Sequence, residues 1–136
     1  MGLVRAEIIL RNAGDVTGVR RGYIKESEVR QTTVVAAVDT GSANLVINED
    51  IRRKLGLTVE INYKTELADG SAQTYGLTEA VQIQWKDRKA VCQAVVVPNA
   101  KDALLGTIPL EAMDLTINPS KQELIGAHGD KAVYIK

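Results

Sequence analysis

The residues Asp39-Thr40-Gly41-Ser42 concentrate the reactive chemistry of this sequence. They follow the apolar run Val34-Val35-Ala36-Ala37-Val38, so a carboxylate ends what reads as a buried strand. An acidic group there costs free energy unless it is hydrogen-bonded or functional. Donors stand beside it: the backbone N–H groups of Gly41 and Ser42 and the hydroxyls of Thr40 and Ser42. Gly41 lets the chain turn tightly beneath the carboxylate. The sequence otherwise offers little. One Cys and one His cannot build a His/Cys zinc cage, and they leave a Ser-His-Asp or Cys-His catalyst a single histidine. Cys92 reads as a small apolar residue packed in a strand. His128, among Gly and Ala in a polar stretch, reads as a solvated loop residue. The plain alternative for Asp39 is a hydrogen-bonded turn aspartate.

The elements around this corner are mostly strands. Val4, Ala6, Ile8 and Leu10 alternate with charged Arg5, Glu7 and Arg11. Val59, Ile61, Tyr63 and Thr65 alternate with Glu60, Asn62, Lys64 and Glu66, and Val81, Ile83 and Trp85 with Gln82 and Gln84. Period-two alternation predicts half-buried antiparallel strands. The runs 31–38 and 90–97 are more continuously apolar and predict central strands covered on both faces. Turn signals separate them: Ala13-Gly14-Asp15, Asp69-Gly70, Lys86-Asp87-Arg88, Pro98-Asn99 and Asn118-Pro119. One helix is clear. Asn48 can cap it, Glu49 and Asp50 open it, Arg52, Arg53 and Lys54 close it, and Gly56 stops it. Ile51 and Leu55 would face the core. A second short helix is expected over residues 108–113. Residues 12–30 read as an insertion or long hairpin.

This arrangement resembles the aspartic proteases. Asp39-Thr40-Gly41-Ser42 matches their signature of Asp-Thr/Ser-Gly followed by a small residue. The apolar strand before it, the Asn44-Leu45-Val46-Ile47 continuation and the helix ending Lys54-Leu55-Gly56-Leu57 fit as well. Downstream, Ala103-Leu104-Leu105-Gly106-Thr107-Ile108 is similar to the family's apolar-apolar-Gly landmark, which crosses behind the active-site loop. There Leu105 and Gly106 would support the site. The strand–Asp69-Gly70–strand unit stands where the family has its flap, so Ala68, Asp69, Gly70 and Ser71 are the expected substrate-binding tip. The likeness spans roughly residues 3–125 and is closest to the retropepsin-like branch of small single-lobed enzymes.

The resemblance implies an all-β fold: a retropepsin-like closed barrel of short antiparallel strands with one or two short helices, in a single domain over 1–136. It also implies aspartic endopeptidase activity. Such an enzyme needs two carboxylates facing one water, one charged and one protonated, and the pair titrates as a unit. This chain has one Asp-Thr-Gly and is too short for two lobes, so activity would require a homodimer with Asp39 from each subunit at a two-fold axis. Asp39, Thr40 and Gly41 are the expected catalytic residues. In the family the residue matching Thr40 bonds the partner's loop, and Gly41 supplies backbone donors. Ser42 is expected to donate to the charged carboxylate and shift activity toward acid. No cofactor and no metal is implied, and the substrate would be a peptide or protein. The alternative is a non-catalytic dimerisation or peptide-binding module of the same fold. The flap departs from the glycine-rich type, and Ala127-His128-Gly129-Asp130 interrupts the C-terminal end, where Val133-Tyr134-Ile135 would supply a terminal strand.

Composition narrows the remaining classes. In 136 residues, 17 Lys+Arg balance 17 Asp+Glu, which argues against a phosphate-contacting nucleic-acid binder. The Arg20-Arg21 pair and the Arg52-Arg53-Lys54 run read as solvated charge. One Cys excludes an intrachain disulfide and fits a reducing compartment. No apolar run approaches a bilayer span, and MGLVRAEIIL lacks a signal-peptide pattern. The expectation is a cytoplasmic protein with no membrane partner. With no Phe and one Trp, the core must be built from Val, Ile, Leu and Ala, a bias that favours strands.

Overall fold

The computed structural model describes residues 4–66 and 69–129. Nine strands and three short helices run in the order β1 (Arg5–Asn12), α1 (Ala13–Arg20), β2 (Gln31–Val38), β3 (Leu45–Ile47), α2 (Glu49–Leu55), β4 (Val59–Glu66), β5 (Ala72–Trp85), β6 (Arg88–Val96), β7 (Leu104–Leu105), α3 (Thr107–Ala112), β8 (Leu115–Asn118) and β9 (Glu123–Gly126), with a 3-10 turn at Glu26–Glu28. The fold is all-β in class. Seven strands pair in the order β1-β2-β7-β3-β6-β5-β4, and β1 also pairs with β5. Six strands therefore close into a ring, and β4 extends it as the outer strand of the β4–β5 hairpin.

The ring departs from an all-antiparallel set of short strands. β7 runs parallel to β2 and antiparallel to β3, and β3 runs parallel to β6. β5 is 14 residues long. Its first half pairs with β4, while its second half pairs with β6 and with β1. One continuous strand thus carries both the projecting hairpin and the ring wall.

Period-two patterning places the core as expected along β1, where Ala6, Ile8 and Leu10 are buried together with Val4 just before the strand. In β5, Val81 and Ile83 are buried and Trp85 packs against them. Half-buried Cys92 also packs on the core, and burial pushes its thiol up to about 11. The expectation of full cover for β2 and β6 holds only at their C-terminal ends. Ala36, Ala37 and Val38 and Ala94, Val95 and Val96 are buried, but Val35 and Val91 are more than half exposed. Apolar character there reflects β propensity, because these side chains point away from the core and stay open to solvent. Ile61 in β4 is likewise exposed, since that hairpin has left the core. The side chains of Tyr63 and Thr65 lie outside the described residues.

The helix after Asn48 forms as its signals predict. Asn48 Oδ1 accepts the Ile51 N–H at 2.9 Å. Glu49 pairs with Arg52, and Ile51 and Leu55 are buried. Gly56 takes the left-handed conformation, φ 61°, that ends a helix at low cost. α3 spans 107–112, one residue earlier than expected at each end.

Residues 12–30 hold a helix and a 3-10 turn, where a hairpin was the alternative to an insertion. Ala13-Gly14-Asp15 begins α1 and is no turn, because Asn12 caps it by accepting the Asp15 N–H at 3.1 Å. None of the α1 residues is buried. The segment is held at its root. Asn12, 1 % exposed, donates to the Leu55 carbonyl at 2.9 Å and to Glu79 at 3.3 Å. Arg30 grips Asp15 through two side-chain bonds of 2.9 Å, which holds the Asp15 carboxyl below its usual range. Val133-Tyr134-Ile135, expected as a terminal strand, and Ala68 lie outside the described residues. None of the described helices is long and apolar enough to cross a membrane.

Candidate functional site

Strand β2 ends at Val38, and Asp39 begins the turn into β3. Between the two strands lies the two-residue β7, so the 39–44 loop must bridge over it. Asp39 N–H donates to the Leu105 carbonyl at 3.0 Å, and Ala37 N–H to that of Ala103 at 2.9 Å. Leu105, fully buried, is thereby the strut on which the Asp39 backbone rests.

Gly106 follows, and its role is spatial. A Cβ there would stand 2.5 Å from the Asn44 carbonyl oxygen and 2.6 Å from that of Ser42. Only glycine lets the chain pass this close beneath the loop. The contact is also a hydrogen-bond ladder. Gly106 N–H donates to Asn44, Thr107 N–H to Ser42 and Ile108 N–H to Ala43, at 3.1, 2.9 and 2.8 Å. Thr107 and Ile108 open α3, which has no side-chain cap. The orphan N–H groups of its first turn are therefore satisfied by the loop carbonyls, and loop and helix brace each other. Pro109 sits in that first turn, where a missing N–H costs nothing.

With its carbonyls accepting from α3, the loop turns the N–H groups of Gly41 and Ser42 to Asp39. Gly41 N–H reaches Asp39 Oδ1 at 2.9 Å. Ser42 N–H bonds the Asp39 main-chain carbonyl at 3.2 Å, so it does not serve the carboxylate as the sequence suggested. Within one chain the hydroxyls of Thr40 and Ser42 do not reach the carboxylate among the described residues either. Asp39 is half-buried, Thr40 exposed and Ser42 half-buried. The result is a rigid corner that presents a carboxylate with unused acceptor capacity. A carboxylate in that state can take a proton from water or bind a donor.

The β4–β5 turn carries the other expected site residues. Asp69 Oδ1 accepts the Ser71 N–H at 2.9 Å and the Ser71 hydroxyl at 2.6 Å. These bonds hold the Asp69 carboxyl below its usual range, the hydroxyl contributing most. Gly70 has φ 87°. Asp69, Gly70 and Ser71 thus form a closed polar turn at the end of the projecting hairpin.

Sequence reasoning missed a second polar centre. Arg88, assigned to a turn, is 3 % exposed. It donates to the carbonyls of Met113, Asp114 and Gly129 at 3.1, 2.6 and 2.6 Å. The Asp114 carboxylate stands 3.8 Å from Arg88 and 2.6 Å from His128 Nδ1. His128 is exposed but not merely solvated: it closes this knot. Only the turn signal marked Arg88 in the sequence, and nothing paired it with residues 25 to 41 positions away. Among the described residues no group of three His, Cys, Asp or Glu side chains gathers where a metal ion could be held.

None of the curated proteins compared with this chain matches it. A family model described as "gag-polyprotein putative aspartyl protease" matches residues 25–112. That span is well over half of the chain, and it includes β2, the Asp39 corner, the β4–β5 hairpin, β7 and α3. The chain belongs to the family of gag-polyprotein putative aspartyl proteases.

Proposed function

We propose that this protein is an aspartic endopeptidase that acts as a homodimer. One observation carries the reading: a single Asp-Thr-Gly corner, braced from below by Leu105 and Gly106, holds a carboxylate with one internal donor. One carboxylate cannot both take and give a proton in the same step. Two corners related by a two-fold axis supply a pair, which holds one proton because two adjacent charges are too costly.

The charged Asp39 takes a proton from a water as it attacks the scissile carbonyl. The protonated Asp39 of the second copy donates toward the carbonyl oxygen. Collapse of the tetrahedral intermediate returns a proton to the leaving amine and restores the pair. Neither a covalent intermediate nor a metal is needed. The hydroxyl of exposed Thr40 would bond the loop of a second copy, and the Gly41 N–H would orient the carboxylate. The β4–β5 turn at Asp69-Gly70-Ser71 would cover an extended peptide, pairing with its backbone as an added strand does.

The test is cleavage of a mixed pool of unstructured peptides from pH 3 to pH 8 by wild type and Asp39→Asn. Wild type is expected to cut, and the variant to lose at least about a thousandfold in rate. No cleavage at any pH by a folded, dimeric wild type would overturn the proposal in favour of a non-catalytic binding module. Sedimentation provides the second arm. A chain that stays monomeric at tens of micromolar with peptide present would remove the dyad altogether.

A further inference from the structure

The root of the 13–30 segment is built with more care than a spacer needs. Asn12 is buried and fully engaged, and Asp15 and Arg30 lock the two ends of the segment together. Yet α1 buries none of its residues, and it lies outside the 25–112 span of the family match. A rigid base thus holds out a helix that contributes little to the core.

Between this segment and the outer face of β1 and β5 lies a groove of about 1150 Å³. Val16, Val19 and Val29 give it an apolar side. Arg11, Arg20 and Lys89 give it three cations against one carboxylate, that of Glu26. None of the three cations has a carboxylate at ion-pair distance among the described residues. Arg11 is the most telling. It is half-buried, and its guanidinium donates to three neutral amide oxygens: Gln31 at 2.9 Å, Gln84 at 2.7 Å and Gln82 at 3.3 Å. Those amides fix its position and replace water, but they leave its charge uncancelled. A partly desolvated cation held in place without a counter-charge attracts an anion more strongly than a free surface lysine does.

We propose that this groove is a docking site for an acidic segment of a partner polypeptide, one in which Glu or Asp alternates with aliphatic residues. The carboxylates would meet Arg11, Arg20 and Lys89, and the aliphatic groups would cover the three valines. The apolar side and the small charge excess favour a polypeptide over nucleic acid, which would need a longer basic track. The inference stands apart from the catalytic reading, since it uses none of the Asp39 corner.

The test uses the full chain and three fluorescent probes: a Glu/Leu-alternating peptide, its Lys/Leu counterpart and a single-stranded oligonucleotide, each followed by anisotropy. The acidic peptide is expected to bind at least tenfold tighter than either other probe and to weaken as salt is raised. The exposed double variant Arg20→Glu/Lys89→Glu, checked for an unchanged melting temperature, is expected to lose at least tenfold in affinity for it. Absence of binding, equal binding of the acidic and basic peptides, an unchanged affinity in the variant, or tighter binding of the oligonucleotide would each overturn the proposal. So would loss of self-association in the variant by sedimentation, which would assign the groove to a second copy of this chain.

Discussion

The Asp39 corner and the Arg88 knot both set a charged side chain beside backbone carbonyls, and they treat it in opposite ways. At the knot the charge is consumed. Arg88 is almost wholly buried and donates to three carbonyls, and Asp114 is held between Arg88 and His128. At the corner the loop carbonyls are spent on α3, and the Asp39 carboxylate receives one backbone donor. The first pattern ties β6 to the segment after α3. The second makes a stiff frame around a group left available. A saturated charge holds a fold together, whereas an unsaturated one on a rigid support can do chemistry.

This contrast is sharpest if the two sites fail in different ways. Asp39→Asn should abolish cleavage while changing the stability to urea by less than about 0.5 kcal/mol, because the Gly41 N–H still finds an oxygen. Arg88→Met should do the reverse. It removes the buried cation beside the Asp114 carboxylate and the side-chain donor to the Met113 and Gly129 carbonyls, and unfolding in urea should show a loss of about 4 kcal/mol. Gly106→Ala should join the two effects. Its Cβ would press on the Ser42 and Asn44 carbonyls, costing about 3 kcal/mol and displacing the loop enough to slow cleavage about a hundredfold.

Smaller effects test the scaffold. The Asp15 carboxyl is held low by Arg30, so its contribution is present above the unfolded value near 3.8 and fades as pH falls through the lower folded one. Asp15→Asn should therefore cost about 1 kcal/mol at pH 6, and the difference from wild type should shrink toward zero at the acid end of a urea series. Cys92, with its thiol pushed up to about 11, should react with iodoacetamide at pH 8 several-fold more slowly in the native chain than in urea. Equal rates would show the strand to be open there.

Much of the frame was legible because its causes are local. The cap, charges and stop of α2 lie within nine residues and act on neighbouring backbone, so Asn48 through Gly56 could be read directly. The alternation in β1 and in 81–85 records a buried face. The Asp-Thr-Gly-Ser and Leu-Leu-Gly segments could be matched to a family one by one. Reading failed where the cause was distant. The exposed Val35 and Val91 look like core in sequence, since no local rule says whether another layer lies above them. Asn12 reads as the start of an insertion or long hairpin until Leu55 and Glu79 arrive to engage its side chain. Arg88 looks like a turn charge until three carbonyls from 113–129 surround it.

The sequence by itself determined the strand-rich core, the α2 helix and the identity of the corner that carries Asp39, because each follows from side-chain period, capping chemistry or a short motif. Tertiary structure alone decided that β7 slips between β2 and β3 and that Gly106 passes under residues 42–44. It alone turned the carbonyls of that loop toward α3 and left the carboxylate of Asp39 with a single backbone donor. Those outcomes depend on hydrogen bonds between segments roughly sixty residues apart. Such bonds form only when the ring closes, so no window of neighbouring residues contains them.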